Sequence, residues 1–84
     1  MEIIYLDDFL NEGIIREEAF RQSVNEFDWS KYEGKKVLIK GCSEVPVPTW
    51  SYLIITAHLA QFAEKILYGE PCSAFEIFKN QNTN

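Results

Sequence analysis

Two short apolar runs constrain this chain most: Val37-Leu38-Ile39 between Lys36 and Lys40, and Ile66-Leu67-Tyr68 after Lys65. Gly34 and Gly41 bound the first and Gly69 ends the second, and neither run alternates polar with apolar residues as a half-solvated strand would. An unbroken run of that length fits a strand covered on both faces, the usual state of a strand in a parallel sheet. The stretch from Gly41 to Lys65 supplies the dozen or more residues that a parallel crossover needs, helix included. The segment therefore reads as a right-handed β-α-β unit, the hand that nearly all such connections take.

The crossover helix is expected from Thr49 to Glu64. Pro46 and Pro48 hold the chain extended just before it, because a residue preceding proline is driven out of helical geometry. Between Trp50 and Ala63 the helix is apolar on almost every side, with only Ser51, His58 and Gln61 as a narrow polar stripe, so cover from more than one direction is expected. That window is too short for the roughly 20 apolar residues of a membrane span, and no membrane partner is expected.

Around this unit, Glu2 to Leu6 reads as a strand that ends in a turn at Asp7-Asp8. Phe20, Val24 and Phe27 recur at helical spacing, which predicts a helix over Arg16 to Phe27. The segment from Asp28 to Gly34 mixes turn formers with Trp29 and Tyr32 and reads as a loop that lays its rings on the domain. Ser73 followed three residues later by Glu76 has the form of a capping box, which predicts a short final helix from Cys72 to Lys79. The fold class expected is a small α/β domain of two or three layers, with a short, mainly parallel sheet of about three strands. With 84 residues the chain holds one core: a single domain over residues 1–79, and a disordered tail over residues 80–84.

Charge and composition narrow the partners. The net charge is −5 and the eight lysines and arginines form no run longer than Lys35-Lys36, so the basic stripe that nucleic acid demands is missing and nucleic acid is not an expected partner. The acidic start at Asp7-Asp8 does not resemble a secretory signal, and two cysteines are too few for a disulfide scaffold or a four-cysteine zinc site. A cytoplasmic protein with free thiols, no metal and no cofactor is the expectation.

In open parallel sheets, ligands gather at the carboxyl ends of the strands, where loops meet helix starts. That rule selects Gly41, Cys42, Ser43, Thr49, Glu70, Cys72 and Ser73, with Trp50 as an apolar wall, and the ligand expected there is a small anionic or polar molecule. The isolated glycines exclude a dinucleotide or P-loop fingerprint. Cys42 near a helix start has the setting of a reactive thiol. His58, however, is placed roughly 13 Å along the helix from Thr49 at 1.5 Å per residue, too far to serve as its base. No catalytic residue is assigned. The first functional reading is a non-catalytic binding or interaction module. The alternative is a small cysteine-dependent enzyme or redox-responsive protein using Cys42. Enzyme activity stays open between them, and a homodimer is an expected way of covering the apolar helix.

The stretch Val47-Pro48-Thr49-Trp50-Ser51-Tyr52, preceded by Gly41-Cys42-Ser43 and followed by Tyr68-Gly69-Glu70, resembles a bacterial family known as domain of unknown function 2480. Its members carry a similar V-P-T-W-A-Y helix start after a Cys-Ser strand end. Gly13 to Arg21 and Asp28 to Tyr32 are similar to that family as well, so the likeness covers most of the chain. Family members are longer on the amino side, so the resemblance implies a chain shortened there. The resemblance implies no activity.

Overall fold

A computed structural model describes residues 1–9, 15–41 and 46–80 of the chain. Strand β1 (Glu2–Tyr5) runs into a 3-10 turn at Leu6–Phe9, then come helix α1 (Glu17–Glu26), a second 3-10 turn at Trp29–Tyr32, and strand β2 (Lys36–Lys40). Helix α2 (Thr49–Leu59), strand β3 (Lys65–Tyr68), a third 3-10 turn at Pro71–Ser73 and strand β4 (Phe75–Lys79) follow. The four strands form one sheet in sequence order. β1, β2 and β3 are parallel neighbours, with Ile4 beside Ile39 and Val37 beside Ile66, whereas β4 is antiparallel to β3. Two crossovers that step the same way and leave their helices on one face share a hand, and twisted strands favour the right-handed one.

Alternation along the strands sorts the side chains onto two faces. Ile4, Val37, Ile39 and Ile66 join Phe20 and Val24 of α1 and Ile55 and Leu59 of α2 in a single core cluster, so both helices lie on that side. Each fully buried residue of this set contributes about 1.5–3 kcal/mol relative to leaving it in water. On the other face Leu38 is fully buried between its register neighbours Ile3 and Leu67, although no described helix lies over it. Lys36, Lys65 and Lys79 stand side by side across β2, β3 and β4 on that same face. Lysine stems of this kind shield apolar surface while their charges stay wet. The architecture is thus a two-layer α/β domain with a mainly parallel sheet of four strands.

The expected final helix is a strand. Gly69, at φ +120°, begins the reversal after β3, and the 3-10 turn at Pro71–Ser73 completes it. Phe78 then pairs with Ile66 and packs on the core, while Glu76 reaches Lys65 with Oε1 to Nζ at 3.2 Å. The local capping pattern loses to the open edge of β3, whose unpaired backbone groups and apolar face are satisfied only by another strand. The register slips between Ile66 and Leu67, leaving Ile77 as the extra residue of a bulge.

Helix α2 also ends earlier than its composition suggests. It stops at Leu59, and a turn brings Ala63 back into the core through its N–H to the Leu59 carbonyl at 2.8 Å. The Gly34 N–H donates to the Phe62 carbonyl at 3.0 Å and the Glu64 N–H to the Lys35 carbonyl at 2.9 Å, which clamps this turn to the start of β2. Gly34 has φ +73°, a left-handed conformation that glycine adopts without a steric penalty. No described helix is long and apolar enough to cross a membrane. Residues 81–84 of the expected tail lie outside the described residues.

Candidate functional site

The three parallel strands end together, and a cleft of about 380 Å³ opens at their carboxyl edge. Each strand supplies its last residues. β1 delivers Tyr5, and the turn after it presents Asp7; β2 delivers Lys40 and Gly41; β3 delivers Tyr68, Gly69 and Glu70. Tyr52, in the first turns of α2, comes in from the helical layer. The volume is within the range of roughly 300–1,000 Å³ typical of small-molecule sites.

Lys40 supplies the one ammonium group of the lining. Lys40 Nζ is 3.6 Å from Glu70 Oε2 and 5.7 Å from the centre of the Tyr5 ring, which is its register partner. Tyr52 and Tyr68 meet edge to face, with ring centres 5.0 Å apart and planes at 85°. Tyr5 and Tyr68 remain 43% and 42% exposed, so their rings are reachable from solvent. Gly41 is required by closeness: a Cβ there would collide with the Tyr52 hydroxyl.

A second, smaller cleft of about 290 Å³ lies along β1 and is lined by Ile3, Asp8, Phe9, Ser23 and the pair Phe27 and Tyr32. Those two rings stack at 6.2 Å with planes 6° apart, and Lys31 Nζ sits 4.5 Å from the first ring centre and 5.4 Å from the second. Here the protein's own cation already occupies the aromatic faces. Burial, reinforced by the nearby Glu2 and Asp8 carboxylates, holds the Tyr32 phenol above its usual pKa. Asp28 caps the adjoining turn: the Ser30 hydroxyl and backbone N–H both donate to it and keep its carboxyl below the usual range.

Of the residues selected from sequence, Gly41 and Glu70 line the larger cleft. Cys42 and Ser43 lie outside the described residues. Thr49 is exposed at the first position of α2, and Cys72 and Ser73 are exposed in the turn before β4; none of the three lines the cleft. Trp50 packs edge to face on Phe20, with centres 5.5 Å apart, and so joins α2 to α1. His58 stacks on Trp29 at 5.6 Å, and the Trp29 indole N–H donates to the Val24 carbonyl at 2.9 Å. The apolar stripe beside His58 and Leu59 is therefore covered within the chain, and the large apolar residue that α2 leaves exposed is Leu53, at 65%. Among the described residues no group of three or more His, Cys, Asp or Glu side chains is placed to hold a metal ion.

The tyrosines and Lys40 were missed because each reads as an ordinary strand or helix residue. Their signal is positional: Tyr5, Lys40 and Tyr68 are the final residues of three strands, and parallel pairing brings strand ends together.

Neither the curated proteins nor the solved structures contain a match to this chain. A family model described as protein of unknown function (DUF2480) matches residues 15–80, which includes α1, β2, α2, β3 and β4. A match over so much of the chain makes it a member of the DUF2480 family.

Proposed function

We propose that this domain is a non-catalytic binding module that acts in the cytoplasm and takes a small polar ligand in the cleft at the carboxyl edge of β1, β2 and β3. The observation that carries this reading is the lining: three phenol rings and an ion pair surround an open volume. Phenol rings offer apolar area with a hydrogen-bonding tip, the combination expected of a recognition surface. A small-molecule screen read by amide chemical shifts tests the reading. Perturbations should concentrate at Tyr5, Gly41, Tyr68 and Gly69, and shifts confined to the other end of the sheet, at Gly34-Lys35 and Glu64-Lys65, would overturn it. The rival reading, chemistry at Cys42, is favoured instead by rapid thiol labelling of that residue at neutral pH.

A second reading rests on β4. Phe75 is 71% exposed and Ile77 44% exposed on an edge strand, which is the form of surface that pairs with another strand. It supports a homodimer joined through β4. Sedimentation should show a species of twice 9.8 kDa that Ile77→Lys returns to the monomer; a monomer at all concentrations removes this reading.

A further inference from the structure

We propose that the ligand of the carboxyl-edge cleft is an organic cation, a small molecule bearing a primary or quaternary ammonium group; this rests on the binding-module reading and names the ligand class. The cleft already shows how it handles an ammonium: Lys40 places its own over the Tyr5 ring and against the Glu70 carboxylate. Ring faces carry negative charge density, and a cation within about 6 Å of a ring centre is attracted to it. A ligand ammonium would find the same chemistry with two additions. Asp7 lines the cleft and makes no ion pair among the described residues, and the exposed Tyr68 ring stands beside Tyr52.

Charge decides between a cation and an anion. The cleft holds two carboxylates, Asp7 and Glu70, against the single ammonium of Lys40, within a chain of net charge −5. An anion approaching Lys40 would meet the Glu70 carboxylate already 3.6 Å from its Nζ and a second carboxylate, Asp7, in the same lining. A cation is drawn in both by the local carboxylates and by the field of the whole molecule. On this geometry Lys40 is a tethered competitor for the site rather than its recognition element, so removing its charge should tighten binding.

Calorimetric titration and amide chemical-shift mapping with three probes test the inference: choline, its neutral isostere 3,3-dimethylbutan-1-ol, and inorganic phosphate. Choline should shift Tyr5, Gly41 and Tyr68 and bind about tenfold more tightly than the isostere, the difference a cation–π and carboxylate site gives. Asp7→Asn should weaken choline and leave the isostere unchanged, while Lys40→Met should tighten choline several-fold. Equal binding of the isostere, preference for phosphate, loss of choline binding in Lys40→Met, or no choline binding at all would each overturn the cation. Isostere or phosphate binding at the cleft would leave the binding-module reading intact, whereas that reading fails on its own only if a broad screen of polar molecules gives no shifts there.

Discussion

Gly41→Ala offers the sharpest test of how the cleft is built, because its effect should change sign with one atom of a neighbour. Gly41 does not have a positive φ, so alanine adds no backbone strain. What it adds is a methyl group inside the van der Waals envelope of the Tyr52 hydroxyl. The hydroxyl is the tip of a partly exposed side chain beside an open cleft, so displacing it costs about 1 kcal/mol, the low end for added atoms. Turning the Tyr52 ring away also weakens its edge contact with Tyr68, a contact of the kind worth roughly 0.5–1.5 kcal/mol. Against this, alanine restricts the unfolded chain and returns about 0.4–1 kcal/mol. The net expectation is a loss of about 1 kcal/mol, which in a domain this small lowers Tm by roughly 4–8 °C. In the Tyr52→Phe background the hydroxyl is gone, and the nearest remaining atom is the ring carbon that bore it, at 3.4 Å, an ordinary contact. There Gly41→Ala should be neutral or slightly stabilising. Urea unfolding followed by the fluorescence of Trp29 and Trp50 gives all four corners of the cycle. An equal loss in both backgrounds would show that the cost arises elsewhere and that Tyr52 does not roof Gly41.

Two further outcomes are expected. Lys79→Glu puts a carboxylate directly across from Lys65 in place of a like charge, and should stabilise the domain by about 0.2–1 kcal/mol, an effect that salt diminishes; a lower urea midpoint at low ionic strength would contradict the lysine row. Tyr32, with its pKa raised in the folded state, ionises first in the unfolded chain, so its contribution is intact below pH 10 and is lost as pH rises through the folded value. Tyr32→Phe should flatten the alkaline fall in the urea midpoint above about pH 10, and an unchanged slope would remove the residue from the account.

The parallel β2 was legible because its three consecutive apolar residues, Val37, Leu38 and Ile39, are all buried, and β3 because the spacing between the two runs suits a helical crossover; Tyr68, which ends the second run, is exposed. Helix α1 was legible from Phe20 and Val24, which are both buried against the core. What sequence could not show were features settled between elements distant along the chain. Phe75 to Lys79 carries a helix-start pattern and a strand-like composition at once, and only the open edge of β3 decides between them. The end of α2 is set by hydrogen bonds from Gly34 and to Lys35, which no local pattern announces. The same holds for the cleft. The carboxyl-edge rule selects Gly41 and Glu70, which line the cleft, but Tyr5, Lys40 and Tyr68 become neighbours only once β1, β2 and β3 pair in register. Trp50, which reads as a wall near Gly41, turns instead into the joint between the two helices.

The lysines of the sheet give this acidic molecule two electrical sides. Lys36, Lys65 and Lys79 share the face that no described helix covers, with Glu76 as the carboxylate paired to Lys65, while α1 on the opposite layer carries Glu17, Glu18 and Glu26 against Arg21. A charge separated in this way is a permanent dipole across the two layers of the fold. Near a charged column, a micelle or another protein, such a molecule rotates before it drifts, and its first contact is governed by the side it turns forward. Retention on a cation exchanger at a pH where the net charge is negative would be the chromatographic signature of that orientation.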